Sequence, residues 1–408
     1  MVSPEFMTPS RLTRTVRFLR RRPAKYLVGL SHACTALPAV GGQLQRLSRS
    51  TPIPSWSYRF APDVICWTLD RIPTGQTTEL HRQDWARLVS GVTAALENIV
   101  PPEQLNIDWP APDPIQPVLR AAKHRRRYLY RSALRYGDAP QHVLDIWRRE
   151  DLPSGPAPVL VFVPGGAWVY GKRILQGYAL MSHLAEQGWL CVAIDHRAGP
   201  GHRWPRHVQD VRMAVEWVRA NVDQFGGDPT FVAIAGASSG AHLAALSALA
   251  HDDPDYGVES TRDASVDAVI ALYGRYDWED MSTRRDKGVV QFLERIVVGK
   301  RMKHHPHVFR NASPIARVRP DAPPFLVVHG TADRFVPVER ARAFVEKLQS
   351  TSRAPVCYLE LPDARHCFDL TDGIRTGTAV TAIRLFLEEI RRTHQSASAR
   401  VALQRRSV

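Results

Sequence analysis

Short, unbroken apolar runs alternate with stretches of helical periodicity over most of the chain beyond residue 125. Strand-like segments fall near residues 158–163, 190–195, 231–235, 267–273, 324–329 and 356–361. Val159-Leu160-Val161-Phe162-Val163 has no polar interruption, the pattern of a parallel strand buried on both faces. Two further strand candidates, Tyr128–Tyr136 and Val143–Trp147, precede this series. Strand–helix alternation of this length predicts an α/β fold, a doubly wound and mostly parallel sheet of eight strands. Residues 56–120 read instead as helical pieces, such as Thr78–Ile99, and run into a Pro-rich connector, Trp109-Pro110-Ala111-Pro112-Asp113-Pro114. The expected organisation is therefore a basic arm over 1–55, a helical extension or cap over 56–120, the α/β domain over 121–392 and a basic tail over 393–408.

Charge sharpens that division. The 408 residues carry a formal net charge of +14, but residues 1–50 hold nine Arg and Lys against one Glu, and residues 391–408 hold five Arg and no acid. The stretch between them is nearly neutral, which argues against a nucleic-acid-binding face on the α/β domain. In the arm, Leu12, Val16 and Leu19 are spaced for one helical face among Arg11, Arg14, Arg17 and Arg20–Arg22. A basic amphipathic segment of this kind suits peripheral contact with an anionic membrane. Met1–Phe6 reads as a vector-derived leader before a natural start at Met7. The most apolar window, Tyr26–Val40, is too short and too polar to span a bilayer. Five cysteines, Cys34, Cys66, Cys191, Cys357 and Cys367, show neither metal-ligand spacing nor an even disulfide framework, so a reducing, cytoplasmic setting is expected. Lys303-His304-His305-Pro306-His307 lacks a carboxylate or a fixed helical spacing and reads as a loop, so no metal site is assigned.

The chemistry-bearing motif is Gly236-Ala237-Ser238-Ser239-Gly240, a G-x-S-x-G between the apolar run Phe231–Ala235 and the helix-forming stretch Ala241–Leu246. Strand, sharp turn and helix are the setting of a nucleophile elbow. The flanking glycines allow the tight, strained turn that exposes Ser238. A nucleophilic serine needs a base, a group that orients the base, and donors for the developing oxyanion. Asp333 follows Phe325–His329, and His366 follows Cys357–Leu361; both lie just past strand candidates, where open α/β sheets present their sites. Pro164-Gly165-Gly166-Ala167-Trp168 follows another strand candidate and offers the backbone N–H groups of Gly165 and Gly166 as oxyanion donors, with that of Ser239 as the third.

With these motifs in the order Ser, Asp, His, the chain resembles the α/β-hydrolase superfamily, and within it the hormone-sensitive-lipase-like esterases. The resemblance covers residues 124–392. It rests on Pro164–Trp168 where the family has H-G-G-G, on Asp195-His196-Arg197 where it has D-Y-R, and on Trp204-Pro205 with Asp210. It also rests on the Ser238 elbow, on His329–Asp333 and on His366-Cys367-Phe368. It implies a serine carboxylesterase or lipase that needs no cofactor and acts on acyl esters through an acyl-enzyme. Ser238 would attack, His366 would shuttle the proton, and Asp333 would orient His366. A short-to-medium acyl chain is expected, because no long apolar lid helix is evident. A lipase associated with the envelope or membrane, and an acyltransferase or thioesterase, would use the same triad; a non-catalytic binding protein would normally lack one of its members.

Two departures stand out. Pro164 replaces the family's supporting His, and Ala237 replaces the acidic residue common before the nucleophile. In the resembled family a helical cap covers the serine, and residues 56–120 and 276–315 are the expected supply. Trp168, Tyr170 and Tyr273 are candidate pocket residues. Asp195, Arg197 and Asp210 are expected to make structural contacts beneath the site.

Overall fold

A computed structural model describes residues 78–109, 117–257 and 263–406. The basic arm, with its expected membrane contact, lies outside the described residues, as do Cys34, Cys66 and most of the Pro-rich connector. Among the described residues no helix is long and apolar enough to cross a membrane.

All eight expected strands form: β1 Leu129–Arg135, β2 Val143–Trp147, β3 Ala157–Val163, β4 Leu190–Ile194, β5 Gly227–Ala237, β6 Ala268–Leu272, β7 Phe325–Gly330 and β8 Val356–Leu361. They make one sheet in the order β1-β2-β4-β3-β5-β6-β7-β8. β2 runs antiparallel to β1 and to β4, and every other neighbouring pair is parallel.

Side chains leave a strand on alternate faces, and here each face builds its own apolar layer. Val159, Val161 and Val163 of β3 join Val232 and Ile234 of β5 on one side. Leu160 and Phe162 join Phe231, Ala233 and Ala235 on the other. The first layer is covered by α5 Arg206–Asn221, α6 Ser239–Leu249 and α9 Val338–Thr351. The second is covered by α4 Tyr178–Glu186 and the long last helix α11 Gly373–Arg406. Between them in the chain lie α7 Arg284–Phe292, α8 Pro306–Asn311 and the short α10 Phe368–Thr371. Every residue of α6 is buried, so its Ala-rich, one-sidedness-free composition marks a helix enclosed on all sides.

The helical extension is partly described. Its first helix, α1 Thr78–Leu96, is followed by α2 Pro102–Leu105, and α3 Ala121–Tyr128 leads into β1. α1 packs against α11 and β8. Leu88, Val92 and Leu96, four residues apart, enter the same apolar layer as Phe386 and Leu387 of α11. This part of the expected cap is thus an added helix of the core. The basic tail continues α11 as far as Arg406 instead of leaving the body as a separate segment. His304 and His305 lie in a turn, while His307 belongs to α8.

Candidate active site

Four loops meet at the carboxyl ends of the parallel strands. They follow β3, β5, β7 and β8, the positions where open α/β sheets gather functional groups.

The loop after β5 is the sharp turn. Ser238 has φ +56° and ψ −119°, a combination that costs a non-glycine residue of order 1–3 kcal/mol and persists only where the surroundings enforce it. The two motif glycines explain how the turn closes. A Cβ on Gly236 would lie 2.2 Å from the Gly240 carbonyl oxygen, and one on Gly240 would lie 2.2 Å from that of Val163. Strand, elbow and helix α6 therefore touch backbone to backbone, and Ser238 is left partly exposed above them.

Ser238, His366 and Asp333 converge. The Ser238 hydroxyl lies 2.9 Å from His366 Nε2, and His366 Nδ1 lies 2.7 Å from Asp333 Oδ2. An ionised carboxylate only accepts, so Nδ1 carries the proton and Nε2 faces the hydroxyl as an acceptor. The other carboxylate oxygen, Oδ1, accepts the backbone N–H groups of Phe335 at 2.8 Å and Val336 at 2.9 Å. Burial alone would raise the Asp333 pKa, but the charge of His366 and hydrogen bonds from His329 and His366 outweigh it and hold the carboxyl well below the usual range. Asp333 is therefore ionised at any working pH.

The loop after β3 departs from expectation at one residue. The Gly165 N–H donates to Gln176 Oε1 at 2.7 Å, and the Gln176 amide donates back to the Gly165 carbonyl at 3.2 Å. Gly165 is buried and its amide is committed, so it is not an oxyanion donor. The N–H groups of Gly166 and Ala167, both partly exposed, have no partner among the described residues. Gly165 serves by its smallness instead: a Cβ there would lie 2.5 Å from the Ala237 carbonyl oxygen and 3.1 Å from Ser238 Cβ. Gln176 also supplies the side-chain support that Pro164 cannot. No periodicity or motif identifies a glutamine in an irregular loop as this partner. The third amide, that of Ser239, opens α6, where unpaired N–H groups and the helix dipole favour negative charge.

Two of the three pocket candidates are relocated. Trp168 is only 5% exposed; its indole N–H donates to His242 Nδ1 at 3.1 Å, and its ring packs edge-on against Trp278. Tyr273 is buried, its hydroxyl donates to Asp369, and its ring meets the His366 imidazole at 4.8 Å between centroids. Both are supports inside the core, because each ring's polar atom finds its partner there and not at the surface. Tyr170 remains partly exposed beside Gly166.

The expected structural contacts form as well. Asp210, at 0% exposure, accepts the Arg197 backbone N–H at 2.7 Å and pairs with the Arg197 guanidinium and His142. Asp195 pairs with Lys172 and Arg173. Cys191 is fully buried in β4.

Comparison with known proteins finds esterases. The BD-FAE family model matches residues 144–348. The chain is 52% identical over 377 residues to the esterase LipC of Mycobacterium tuberculosis, covering 92% of this chain and 93% of that protein. It is 42% identical to the probable carboxylic ester hydrolase LipM of the same organism, covering 69% and 66%. Among solved structures, Thermogutta terrifontis esterase 2 phosphonylated by sarin superposes with a TM-score of 0.53 at 25% identity, covering 62% of this chain and 93% of that one. The butyrate-bound form of that esterase gives 0.52 at 25% identity, with 62% and 92% covered.

Proposed function

The chain belongs to the BD-FAE family of α/β-hydrolase-fold esterases and is a carboxylic ester hydrolase; from that premise we propose that it cleaves short-to-medium acyl esters through a Ser238–His366–Asp333 triad and an acyl-enzyme intermediate. The observation that carries the proposal is the His366 ring, hydrogen-bonded to the Ser238 hydroxyl on one side and to the Asp333 carboxylate on the other.

His366 Nε2 takes the proton as Ser238 Oγ bonds to the acyl carbon. The carbonyl oxygen becomes an oxyanion and is received by the N–H groups of Gly166, Ala167 and Ser239. Protonated His366 then gives its proton to the leaving alkoxide, and the alcohol departs. Water repeats the sequence on the acyl-enzyme, with His366 again as base, and releases the acid. Asp333 keeps the proton on Nδ1 throughout and stabilises the imidazolium. Loss of one oxyanion donor costs about 3–4 kcal/mol in enzymes of this kind. Tyr170, partly exposed beside Gly166, is the candidate for substrate contact. The butyrate ligand of the Thermogutta esterase supports the short-to-medium chain assignment. The basic arm, with Arg11–Arg22 interleaved by Leu12, Val16 and Leu19, supports peripheral contact with anionic lipid.

Ser238→Ala tests the proposal. It removes the nucleophile and a single oxygen from a partly exposed position, so the fold should survive while hydrolysis of a nitrophenyl ester is abolished. Wild-type-like turnover in that variant would refute the triad.

A further inference from the structure

The strained loop after β3 carries two of the three assigned oxyanion donors, and its conformation needs an external restraint. Gly166 has φ +138°, and Ala167 and Trp168 follow at +50° and +57°. Two successive non-glycine residues in the left-handed region cost roughly 1–2 kcal/mol each. Oxyanion donors act only when they are held in place before the charge develops, so a loop under this strain must be tied down close to the amides themselves.

The ties lie on either side of Trp168. Its indole N–H donates to His242 Nδ1 at 3.1 Å. His242 Nε2 lies 2.7 Å from the carbonyl of Ala312, so the ring bears its proton on Nε2 and bridges the two. The Trp168 carbonyl accepts from His207 Nε2 at 2.8 Å and from the Gly199 N–H at 2.8 Å. His242 also stacks on Trp278, 4.8 Å between centroids and nearly parallel. His242 belongs to α6, one turn past the nucleophile, and its own backbone N–H donates to the Ser238 carbonyl at 3.2 Å. Thus one buried imidazole joins the nucleophile helix, which carries the Ser239 amide, to the loop that carries the Gly166 and Ala167 amides.

We propose that His242 is a positioning residue, a cross-brace that sets the distance between the two halves of the oxyanion hole through its bond to Trp168. The inference rests on the serine-esterase reading. The brace is neutral: burial, together with the nearby His207 and Arg275, lowers the His242 pKa to about 3 against the opposing bond to Ala312. It therefore accepts from Trp168 at neutral pH.

The test compares His242→Phe, Trp168→Phe and their double variant with wild type, using nitrophenyl butyrate. Rates are expressed per active site titrated by an organophosphonate. Phe at position 242 keeps a flat ring against Trp278 but cannot accept, and Phe at 168 cannot donate. Each single change is expected to lower per-site kcat about 10- to 100-fold with KM within about twofold, in the range seen when an oxyanion donor is weakened. The double variant should be no worse than the worse single one, because both remove the same bond. The Ki of a trifluoromethyl ketone, whose adduct carries an oxyanion, should rise in parallel with the fall in kcat/KM. His242→Asn, whose Oδ1 can take the place of Nδ1 and accept from Trp168, should have a higher per-site kcat than His242→Phe.

A role confined to folding would lower the number of titrated sites and the Tm but leave per-site kcat and the ketone Ki within twofold of wild type, which overturns the brace. Should the phenylalanine variants not fold, the wild-type protein decides: the Trp168 indole N–H, bonded to His242 Nδ1 in the core, should exchange slowly with solvent with and without the ketone, and a rapidly exchanging indole N–H overturns the brace. A wild-type enzyme that does not react with the phosphonate would instead refute the serine-esterase reading.

Discussion

Gln176 grips Gly165 by both ends of its side-chain amide, accepting the N–H at 2.7 Å and donating to the carbonyl at 3.2 Å. Both residues are buried. The pair closes the base of the loop that carries Gly166 and Ala167, and it does so where Pro164 has no hydrogen-bonding side chain. Gln176→Leu keeps the approximate volume and leaves the Gly165 N–H buried without a partner. An unmet buried amide costs about 1–3 kcal/mol. The variant should lose stability in that range by urea unfolding, and kcat for nitrophenyl butyrate should fall about tenfold as the loop loosens. Unchanged kcat would mean that the loop is held without Gln176.

The contrast between Ser238 and Gln176 shows what the amino-acid sequence makes legible. Strands buried on both faces are written as unbroken apolar runs, so β3, β4, β6 and β7 stand out without a structure. Ser238, Asp333 and His366 each follow such a run, and the sheet then brings together residues that lie 128 and 33 positions apart in the chain. Side-chain direction within loops has no comparable signal. Which loop amide Gln176 would occupy, and that the Trp168 indole would turn inward to His242, depend on backbone angles at Gly166–Trp168 that composition does not reveal. His242 did carry a legible cue: a histidine in a helix of otherwise small and apolar residues must find partners in the core. β5 shows the opposite failure. Its first four residues, Gly227-Asp228-Pro229-Thr230, have turn composition, yet the strand starts at Gly227, which pairs with Ala157 of β3; the register then shifts, and regular pairing resumes only at Val232 with Val159.

Asp333 fixes which nitrogen of His366 is protonated. An amide at that position can donate to Nδ1 and so stabilise the tautomer with its proton on Nε2, which cannot accept from Ser238. Asp333→Asn should therefore lower kcat about 10⁴-fold, the scale of the equivalent change in other triads. Circular dichroism should show the fold intact, and rates across pH should show the loss. Asp333 also links stability to pH with a definite sign. Its pKa is depressed on folding, so its contribution is fully present above the ordinary carboxylate value of about 4 and is lost as pH falls through the folded value. Wild type minus Asp333→Asn stability should thus shrink on acidification below about pH 4.

Acyl-chain preference follows from what stands over Ser238. The described part of the expected cap, α1, packs into the core against α11 and β8. No long apolar lid helix is legible in the sequence, and the expectation that follows is a preference for short and medium chains. A series of nitrophenyl esters from about two to sixteen carbons should give its highest kcat/KM at or below about eight, since each buried methylene adds only about 0.8 kcal/mol where the pocket can enclose it. An optimum at sixteen would place an extended apolar channel next to Ser238.

A second carboxyl lies close to the imidazole and has the opposite pH behaviour. Asp369 is buried and accepts the Tyr273 hydroxyl, whose ring packs on His366. Burial pushes its pKa up to about 6, against the hydrogen bond from Tyr273, a backbone hydrogen bond and the charge of His366. In the unfolded chain the same group titrates near 4. Below about pH 4 it is protonated in both states and neutral burial has no ionic cost. Between about 4 and 6 only the unfolded chain ionises, and stability falls as pH rises. Above about pH 6 the folded protein holds a buried carboxylate at a cost of about 3 kcal/mol, from two pKa units at 1.36 kcal/mol each. Asp369→Asn keeps an oxygen for the Tyr273 hydroxyl and removes the titration. Its stability relative to wild type should be lowest near pH 4 and rise by about 3 kcal/mol towards pH 7.5. Urea unfolding of both proteins at pH 4, 6 and 7.5 measures the difference, and a difference that does not vary with pH would show that Asp369 ionises in the folded protein as readily as in water.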